Sequence, residues 1–292
     1  MIIDYEKDRF TIVKNDYIKD LGKLMTNEEI TIYTLINLNK TIKDSYIFSI
    51  SWIMEELHYS NTNKKKLKQI KDIINGFIAN GIINVYTNIR LTDEYKINNI
   101  DSKFDKNKLL YATSDIVDDN FTIIYDCELI ALLDIADKYE LKTSTLIKLV
   151  LYIFSCIGNN ECVENYKLAY PAFKTISDDL GICESTIVKY INILKQEEII
   201  DFDYAGYKET AKGKIKNSNM FYCRYMDNEI LIERIKRERE TKGFIQINNL
   251  NKNKSNLKRG IKQQINILEK KDKLTELEVE KIKLLKEEYE KL

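Results

Sequence analysis

The stretch 173–200, which reads FKTISDDLGICESTIVKYINILKQEEII, limits what this chain can fold into more than any other part of it. Ile176 and Leu180 are four residues apart, so they lie on one face of a first helix. Gly181 follows directly, where the end of a helix favours a residue that tolerates positive φ. A second helix is predicted from about residue 184, with an inner row formed by Ile187, Ile191 and Leu194. The sequence therefore predicts two amphipathic helices joined by a short turn.

The outward face of the second helix carries small, basic and amide side chains, which can reach base edges and phosphates. Ser185, Lys189, Asn192 and Gln196 form this face. Glu184 can accept a hydrogen bond from a cytosine amine or act only as a helix cap. The cap is favoured, because acidic residues are stabilised at a helix N-terminus.

The order apolar–Ser–x–x–Leu–Gly–Ile–x–x–x–x–Ile, from Ile176 to Ile187, resembles a helix-turn-helix. Residues 199–204 and 219–225 are predicted as strands on either side of a polar loop, so the helices and hairpin together are similar to a winged helix. Within that class, the chain looks most like the winged-helix replication initiators and replisome organisers of plasmids and phages. The resemblance implies a protein that marks a DNA site by sequence and recruits other proteins to it.

This resemblance implies DNA contacts from the two helices and from the lysines of the wing. The expected residues are Lys174, Glu184, Ser185, Thr186, Lys189, Asn192, Gln196, Lys208, Lys212, Lys214 and Lys216. The wing lysines would contact phosphate or the adjacent minor groove. An ordinary solvated hairpin is the alternative for the wing, and a winged helix used for protein contact is the alternative for the whole motif.

A similar plan of three helices and a strand is predicted between about residues 20 and 95, without recognisable sequence similarity to the later segment. Thr26 and Glu29 predict a capping box at its first helix. The third helix begins with five lysines in eight residues, 64–71, and no acid. Phosphate contact is expected from Lys64, Lys65, Lys68 and Gln69. A solvated helix face is an equally weighted alternative, because charge runs are usually that.

The fold class expected is mainly α with small β-hairpins, an α+β chain with two tandem winged-helix domains and a C-terminal helical hairpin or short coiled coil. A first winged-helix-like domain is expected over 1–95 and a linker over 96–120, for which an elaborated wing is the alternative. A second winged-helix domain is expected over 121–243, with its helix-turn-helix at 173–198. A basic linker over 244–256 and the helical hairpin over 257–292 complete the chain.

Catalytic and metal chemistry are poorly supported by the residues. His58 is the one histidine, and none of the five cysteines forms a CxxC pair, so we expect no metal site and reduced, mostly buried thiols. Neither GxxxxGK[ST] nor GxGxxG after a strand occurs. We therefore expect a protein that is not an enzyme and that needs no cofactor.

The remaining expectations concern location and partners. No apolar run approaches the roughly 18 residues of a spanning helix, and the acidic N-terminus is unlike a secretion signal, so a cytoplasmic protein without membrane contact is expected. Its partners would be double-stranded DNA, the replication or transcription machinery and a second copy, bound through a winged-helix domain or the C-terminal helices. The 46 basic and 46 acidic residues give zero net charge, which weighs against DNA binding. A winged-helix transcription regulator and a non-catalytic interaction scaffold therefore stay open.

Overall fold

The computed structural model of the chain describes residues 9–19, 25–41, 45–114, 120–158, 167–209, 215–245, 249–269 and 276–291. Two compact units are present, one formed by 1–203 with 220–232 and the other by 204–219 with 233–292. The fold is mixed α+β, mainly helical with small sheets, as the sequence predicted. Within the described ranges, no helix has both the length and the apolar character needed to cross a bilayer.

The helices and strands follow one another in an irregular order. They are β1 (Phe10–Lys14), α1 (Asn15–Lys19), α2 (Asn27–Leu38), β2 (Tyr46–Phe48), α3 (Ile50–Glu56), α4 (Lys64–Ala79), β3 (Ile83–Tyr86), β4 (Lys96–Ile97), β5 (Leu110–Ser114), β6 (Phe121–Tyr125), α5 (Asp126–Lys138), α6 (Thr143–Ser155), α7 (Phe173–Leu180), α8 (Glu184–Gln196), β7 (Ile200–Tyr204), β8 (Tyr207–Glu209), β9 (Ile215–Asn217), β10 (Met220–Arg224), α9 (Asn228–Lys242), α10 (Asn249–Glu269) and α11 (Glu276–Lys291).

A four-stranded sheet in the first unit has the order β2-β5-β3-β4. β5 is antiparallel to both of its neighbours and β4 is antiparallel to β3. Residues 96–114 contribute β4 and β5 to this sheet, so this part of the stretch predicted as a linker or an elaborated wing is not a plain linker. Leu110 and Ala112 are buried at alternate positions of β5. A strand of five residues is too short for its alternation of buried and exposed positions to be recognised within a polar stretch of sequence.

Helix α2 is buried almost all round and packs on β1, β2 and α6. Its N-terminus has the predicted capping box: the Glu29 backbone N–H donates to Thr26 Oγ1 at 3.2 Å, and the Thr26 N–H donates to Glu29 Oε2 at 2.7 Å. β1 also pairs with β6. The segments expected as two separate domains thus share one compact unit, since α2 of the first segment packs on α6 of the second.

The same order of elements occurs twice along the first unit. When β4 is left out, helix, short strand, two helices and two strands occur in the order α2, β2, α3, α4, β3 and β5, with β2 beside β5. When β8 and β9 are left out, the order recurs as α6, a bridge at Ala169, α7, α8, β7 and β10, and Ala169 pairs with Tyr222 of β10. In this order α4 and α8 hold the same place, each being the second of two consecutive helices.

A buried ion pair joins the last strand of the first unit to its centre. The Arg224 guanidinium donates to the Glu128 carboxylate and to the Ile123 carbonyl, and it lies 3.8 Å from the centre of the Phe154 ring. Glu128 is fully buried, and its second carboxylate oxygen accepts the Tyr125 backbone N–H at 3.0 Å. The single arginine therefore connects β10 with β6, α5 and α6.

A buried lysine holds a loop against α4. The Lys71 ammonium donates to the carbonyls of Asp101, Ser102 and Phe104 at 3.0, 3.2 and 2.9 Å. Asn75, one helical turn further on, exchanges two hydrogen bonds with the backbone of Ile100. The loop between β4 and β5 is thereby fixed to one side of the helix.

The second unit contains a small sheet and the C-terminal helices. β8 pairs with β9, and Tyr207 of β8 also forms a two-bond bridge with Ile245 on its other side. α10 and α11 pack on each other, in agreement with the expected helical hairpin. Helix α10 begins at Asn249, so the basic linker predicted over 244–256 is wrong for residues 249–256. Residues 249–256 are mostly Asn and Lys, so they show no apolar period from which a helix could be predicted.

Replacing Arg224 with Met is expected to lower the free energy of unfolding by about 3–5 kcal/mol, because it leaves the Glu128 carboxylate buried without its partner. The double variant Arg224→Met, Glu128→Leu removes both charges and should recover most of that loss. Lys142→Met, which breaks an exposed pair with Glu28, is the control and should cost about 1 kcal/mol at most. Urea unfolding measures all three, and an unchanged midpoint for Arg224→Met would contradict the assignment.

Replacing Lys71 with Met is expected to cost about 2–3 kcal/mol, since three inward-facing carbonyls lose a charged donor. Amide exchange should accelerate at residues 100–104, which can be followed by hydrogen–deuterium exchange. Lys68→Met on the exposed side of the same helix is the matched control, with an expected change below about 0.5 kcal/mol. Equal effects of the two substitutions would show that the interior contacts of Lys71 do not hold the loop.

Candidate nucleic-acid interface

The turn between α7 and α8 has the geometry that the sequence predicted. Gly181 closes α7 in the left-handed conformation, with φ of 65°, and its N–H donates to the Ser177 carbonyl at 2.9 Å. Ile182 is buried beneath the corner, together with Ile176 and Leu180 of α7. The glycine thus reverses the chain while the apolar side chains on either side of it stay in the core.

Helix α8 has one buried and one exposed face. Ile187, Tyr190, Ile191 and Leu194 are buried. The opposite face is solvent-exposed and includes five of the predicted contact residues, while Thr186 is half-buried. The exposed residues are Glu184, Ser185, Lys189, Asn192 and Gln196. The structure therefore brings these side chains together on one accessible surface.

Several of these side chains already have partners on the helix itself. The Asn192 amide donates to the Val188 carbonyl at 2.8 Å, one turn earlier. Ser185 and Thr186 hydroxyls lie 3.4 and 2.9 Å from Cys183 Sγ. The Lys189 side chain, in contrast, makes no hydrogen bond or ion pair with any part of the chain that the structure describes, and the same holds for the side chain of Lys174 on α7.

The charge of this segment is not basic. Residues 173–198 contain three lysines and five acidic residues. Glu197 is paired with Lys138 at 2.8 Å, and the hydrogen bond from that ammonium lowers the pKa of Glu197. Lys195 pairs with Asp201 at 2.6 Å and donates to the Phe202 carbonyl. Attraction of phosphate by α7 and α8 therefore depends on Lys174 and Lys189.

Helix α4 is more basic, but only part of its lysine run faces solvent. Lys64, Lys65 and Lys68 are exposed and make no ion pair within the described ranges. Gln69 is half-buried and accepts from Lys66 at 3.1 Å. Lys71 lies in the interior, so the sequence overstates the exposed charge of this helix.

The groove beside α4 carries both signs of charge. Its volume is about 1090 Å³, and Lys65, Lys68 and Gln69 line it together with Glu29 and Asp72. The two acids offset the two lysines. The groove itself therefore offers no excess of charge to an anion, and of the three exposed lysines at the start of α4 only Lys64 does not line it.

The lysines predicted to lie on the wing, between residues 208 and 216, have different surroundings. The Lys208 ammonium donates to the Lys242 carbonyl at 3.3 Å and lies 4.8 Å from the centre of the Phe244 ring. This engagement at the end of α9 differs from the phosphate contact expected of it, because a helix C-terminus attracts cations. Lys216 is exposed on β9. Lys212 and Lys214 lie outside the described residues.

Cys183, which was not among the predicted site residues, precedes α8 and is exposed. Hydrogen bonds from the side chains of Ser185 and then Thr186 lower its pKa to about 7. The expectation of buried thiols is therefore wrong here, although Cys223 is buried and Cys127 and Cys156 are half-buried. The sequence signal for a reactive thiol was a cysteine directly before a helix, with hydroxyl residues two and three positions later.

Alkylation of Cys183 by iodoacetamide is expected to rise with pH and reach half its plateau rate at about pH 7, because the thiolate is the reactive form. Replacing both Ser185 and Thr186 with Ala removes the hydrogen bonds that favour the thiolate, so the midpoint should move to higher pH. Peptide-resolved mass spectrometry measures the rate and uses the buried Cys223 as the internal control. A midpoint that stays at about 7 in the double variant would contradict this cause.

No group of three or more His, Cys, Asp and Glu side chains that could hold a metal ion occurs among the described residues. Comparison of the chain with models of protein families, with curated proteins and with solved structures finds no significant match.

Proposed function

We propose that this chain is a sequence-specific double-stranded DNA-binding protein with two winged-helix modules. Its role would be initiation of plasmid or phage replication, by recognising a site and recruiting partners in the cytoplasm. The observation that carries the proposal is the exposed polar face of α8, placed after a left-handed glycine turn and opposite a buried apolar face.

The length and spacing of this face suit a major groove. Ser185, Lys189, Asn192 and Gln196 follow one another at intervals of three or four residues and form one row along the helix. The row is about 16 Å long at 1.5 Å per residue. The major groove is about 12 Å wide and admits a helix, so one row of this length can face several successive base pairs.

Each side chain of the row has a chemical role in this proposal. Lys189 donates to the O6 and N7 atoms of guanine, and Asn192 forms a bidentate pair with adenine. Asn192 must first exchange its bond to the Val188 carbonyl for the base, which is a local rotation of an exposed side chain. Glu184 caps the helix or accepts from cytosine. Lys174 and the exposed Lys216 contact phosphate.

The second module of the proposal is centred on α4. Its place in the repeated order of elements is that of α8, and its first two turns carry Lys64, Lys65 and Lys68 on the outside. Compact positive charges of this kind contact phosphates without regard to sequence. Two modules on one chain would extend the recognised site, and a homodimer through a module or through the C-terminal helices would double it.

The replication role rests on the resemblance of the sequence from Ile176 to Ile187 and of the hairpin after it. A transcription regulator would use the same DNA chemistry. Footprinting on the native plasmid or phage DNA separates the two roles. Repeated sites beside an AT-rich region support initiation, whereas one palindrome over a promoter supports regulation.

The acidic balance of residues 173–198 favours a second candidate, a scaffold that uses the same helices to bind proteins. Exposed Val188 lies within the α8 face and would suit a protein contact. This candidate replaces the DNA-binding proposal if the full chain binds no duplex from a random pool, even at low ionic strength.

Substituting Lys189 with Ala is expected to remove the preference at one or two base positions in a selection from random duplexes, because a bidentate base contact contributes about 1–3 kcal/mol of discrimination. Lys236→Ala, an exposed lysine of α9, is the control and should leave the selected motif unchanged. If Lys189→Ala selects the wild-type motif, α8 does not read the bases.

A further inference from the structure

Helix α10 presents a row of exposed polar side chains on one face. Arg259, Lys262, Gln263 and Asn266 are all exposed and are spaced i, i+3, i+4 and i+7. The row combines two cations with two amides. It is distinct from every residue assigned to α4, α8 or the wing.

The opposite face of α10 is covered by α11. Ile261 and Ile265 point away from the polar row and are buried, as is Ile282 of α11. The Lys258 ammonium lies 5.4 Å from the centre of the Tyr289 ring on α11. The partner helix therefore fixes which side of α10 meets the solvent.

The charge around this row is unusual for the chain. Helix α10 contains five basic residues and one acid, Glu269, which pairs with Lys286 of α11 at 2.7 Å. Helix α11 contains six acids and four lysines, so the basic excess of the hairpin belongs to α10. Exposed charges act together over about 8 Å at physiological ionic strength, so the zero net charge of the chain does not describe the outward face of α10.

We propose that the outward face of α10 binds the phosphate backbone of double-stranded DNA without regard to sequence. Arginine and lysine neutralise phosphates, and glutamine and asparagine amides donate to phosphate oxygens. The proposed site goes beyond base reading by α8, because it supplies affinity and salt dependence and does not select a sequence. It also does not require α8 to contact DNA.

An anionic membrane is the competing polyanion, and the exposed side chains of α10 disfavour it. A helix that lies in a membrane interface buries an apolar face among the lipids. Here the buried isoleucines of α10 pack within the hairpin, and the exposed side chains described between 258 and 269 are charged or polar apart from Gly260. The described side chains of the outward face can therefore contact phosphates, but they include no apolar group that could insert among lipids.

The test is the salt dependence of binding by the full-length double variant Arg259→Gln, Lys262→Gln to a duplex of arbitrary fixed sequence. Loss of two phosphate contacts should make the slope of log K against log salt shallower by about 1.8, since each contact contributes about 0.9. The affinity lost between 50 and 200 mM salt would then be about twelvefold smaller than for wild type. Glutamine has a helix propensity close to those of arginine and lysine, so circular dichroism should show unchanged helix content.

Lys281→Gln, Lys283→Gln is the matched control, because it removes two exposed lysines from α11 with the same change of net charge. This control should leave the slope as in wild type. Equal slopes for wild type and the α10 variant overturn the inference, and so does an equal change in both variants, which would be a net-charge effect. An effect of the α10 variant on binding to phosphatidylserine vesicles alone would also overturn it.

Failure of the base-reading proposal gives a different result. If Lys189→Ala selects the wild-type motif while the α10 variant alone loses slope, the α10 site stands and the assignment of α8 falls. If the α10 variant keeps the wild-type slope while Lys189→Ala changes the motif, the α8 assignment stands and the α10 site falls.

Discussion

The ion pair of Arg224 and Glu128 is the contact on which the arrangement of the first unit most depends. A fully buried carboxylate loses its hydration, which costs several kcal/mol unless a charge and hydrogen bonds replace the water. Arg224 supplies the charge and the Tyr125 N–H supplies a further hydrogen bond. Arg224 ends β10, and β10 pairs with β7, the strand that follows α8. By holding β10, and through it β7, this ion pair helps to position α8 and its exposed face.

Interior lysines are a second device that this fold uses. Lys71 holds three loop carbonyls, and Lys148 of α6 donates to the Met25 carbonyl at 2.7 Å just before α2. Burial lowers the pKa of Lys148, because the charged form is less well solvated there. Backbone carbonyls that face a core need donors, and a long side chain can bring one from a neighbouring helix. A lysine in this sequence can therefore lie in the core, as Lys71 and Lys148 do, or on the surface, as Lys64 does.

Local signals predicted the mixed α+β class and individual turns and caps, whereas contacts between distant residues could not be predicted from them. The turn at Gly181, the inner row of α8 and the Thr26 capping box each depend on residues a few positions apart, so the sequence displays them directly. β1 and β6 pair across more than a hundred residues, and β5 is too short to show its period. The same limit applies at the candidate interface. Exposure of Lys189 follows from helical spacing, but the engagement of Lys208 at the end of α9 depends on a contact that spacing cannot reveal.

The two units alternate along the chain, and this alternation sets the order in which their parts are synthesised. Residues 204–219 leave the first unit and belong to the second, and 220–232 return to the first before the chain departs again. During translation, β10 and its arginine emerge only after the hairpin β8–β9 has left the ribosome. Nearly a hundred further residues are synthesised after Glu128 before its partner, Arg224, is added. A nascent chain paused within that interval lacks the partner of Glu128, so the packing around this carboxylate cannot be completed until β10 has been made.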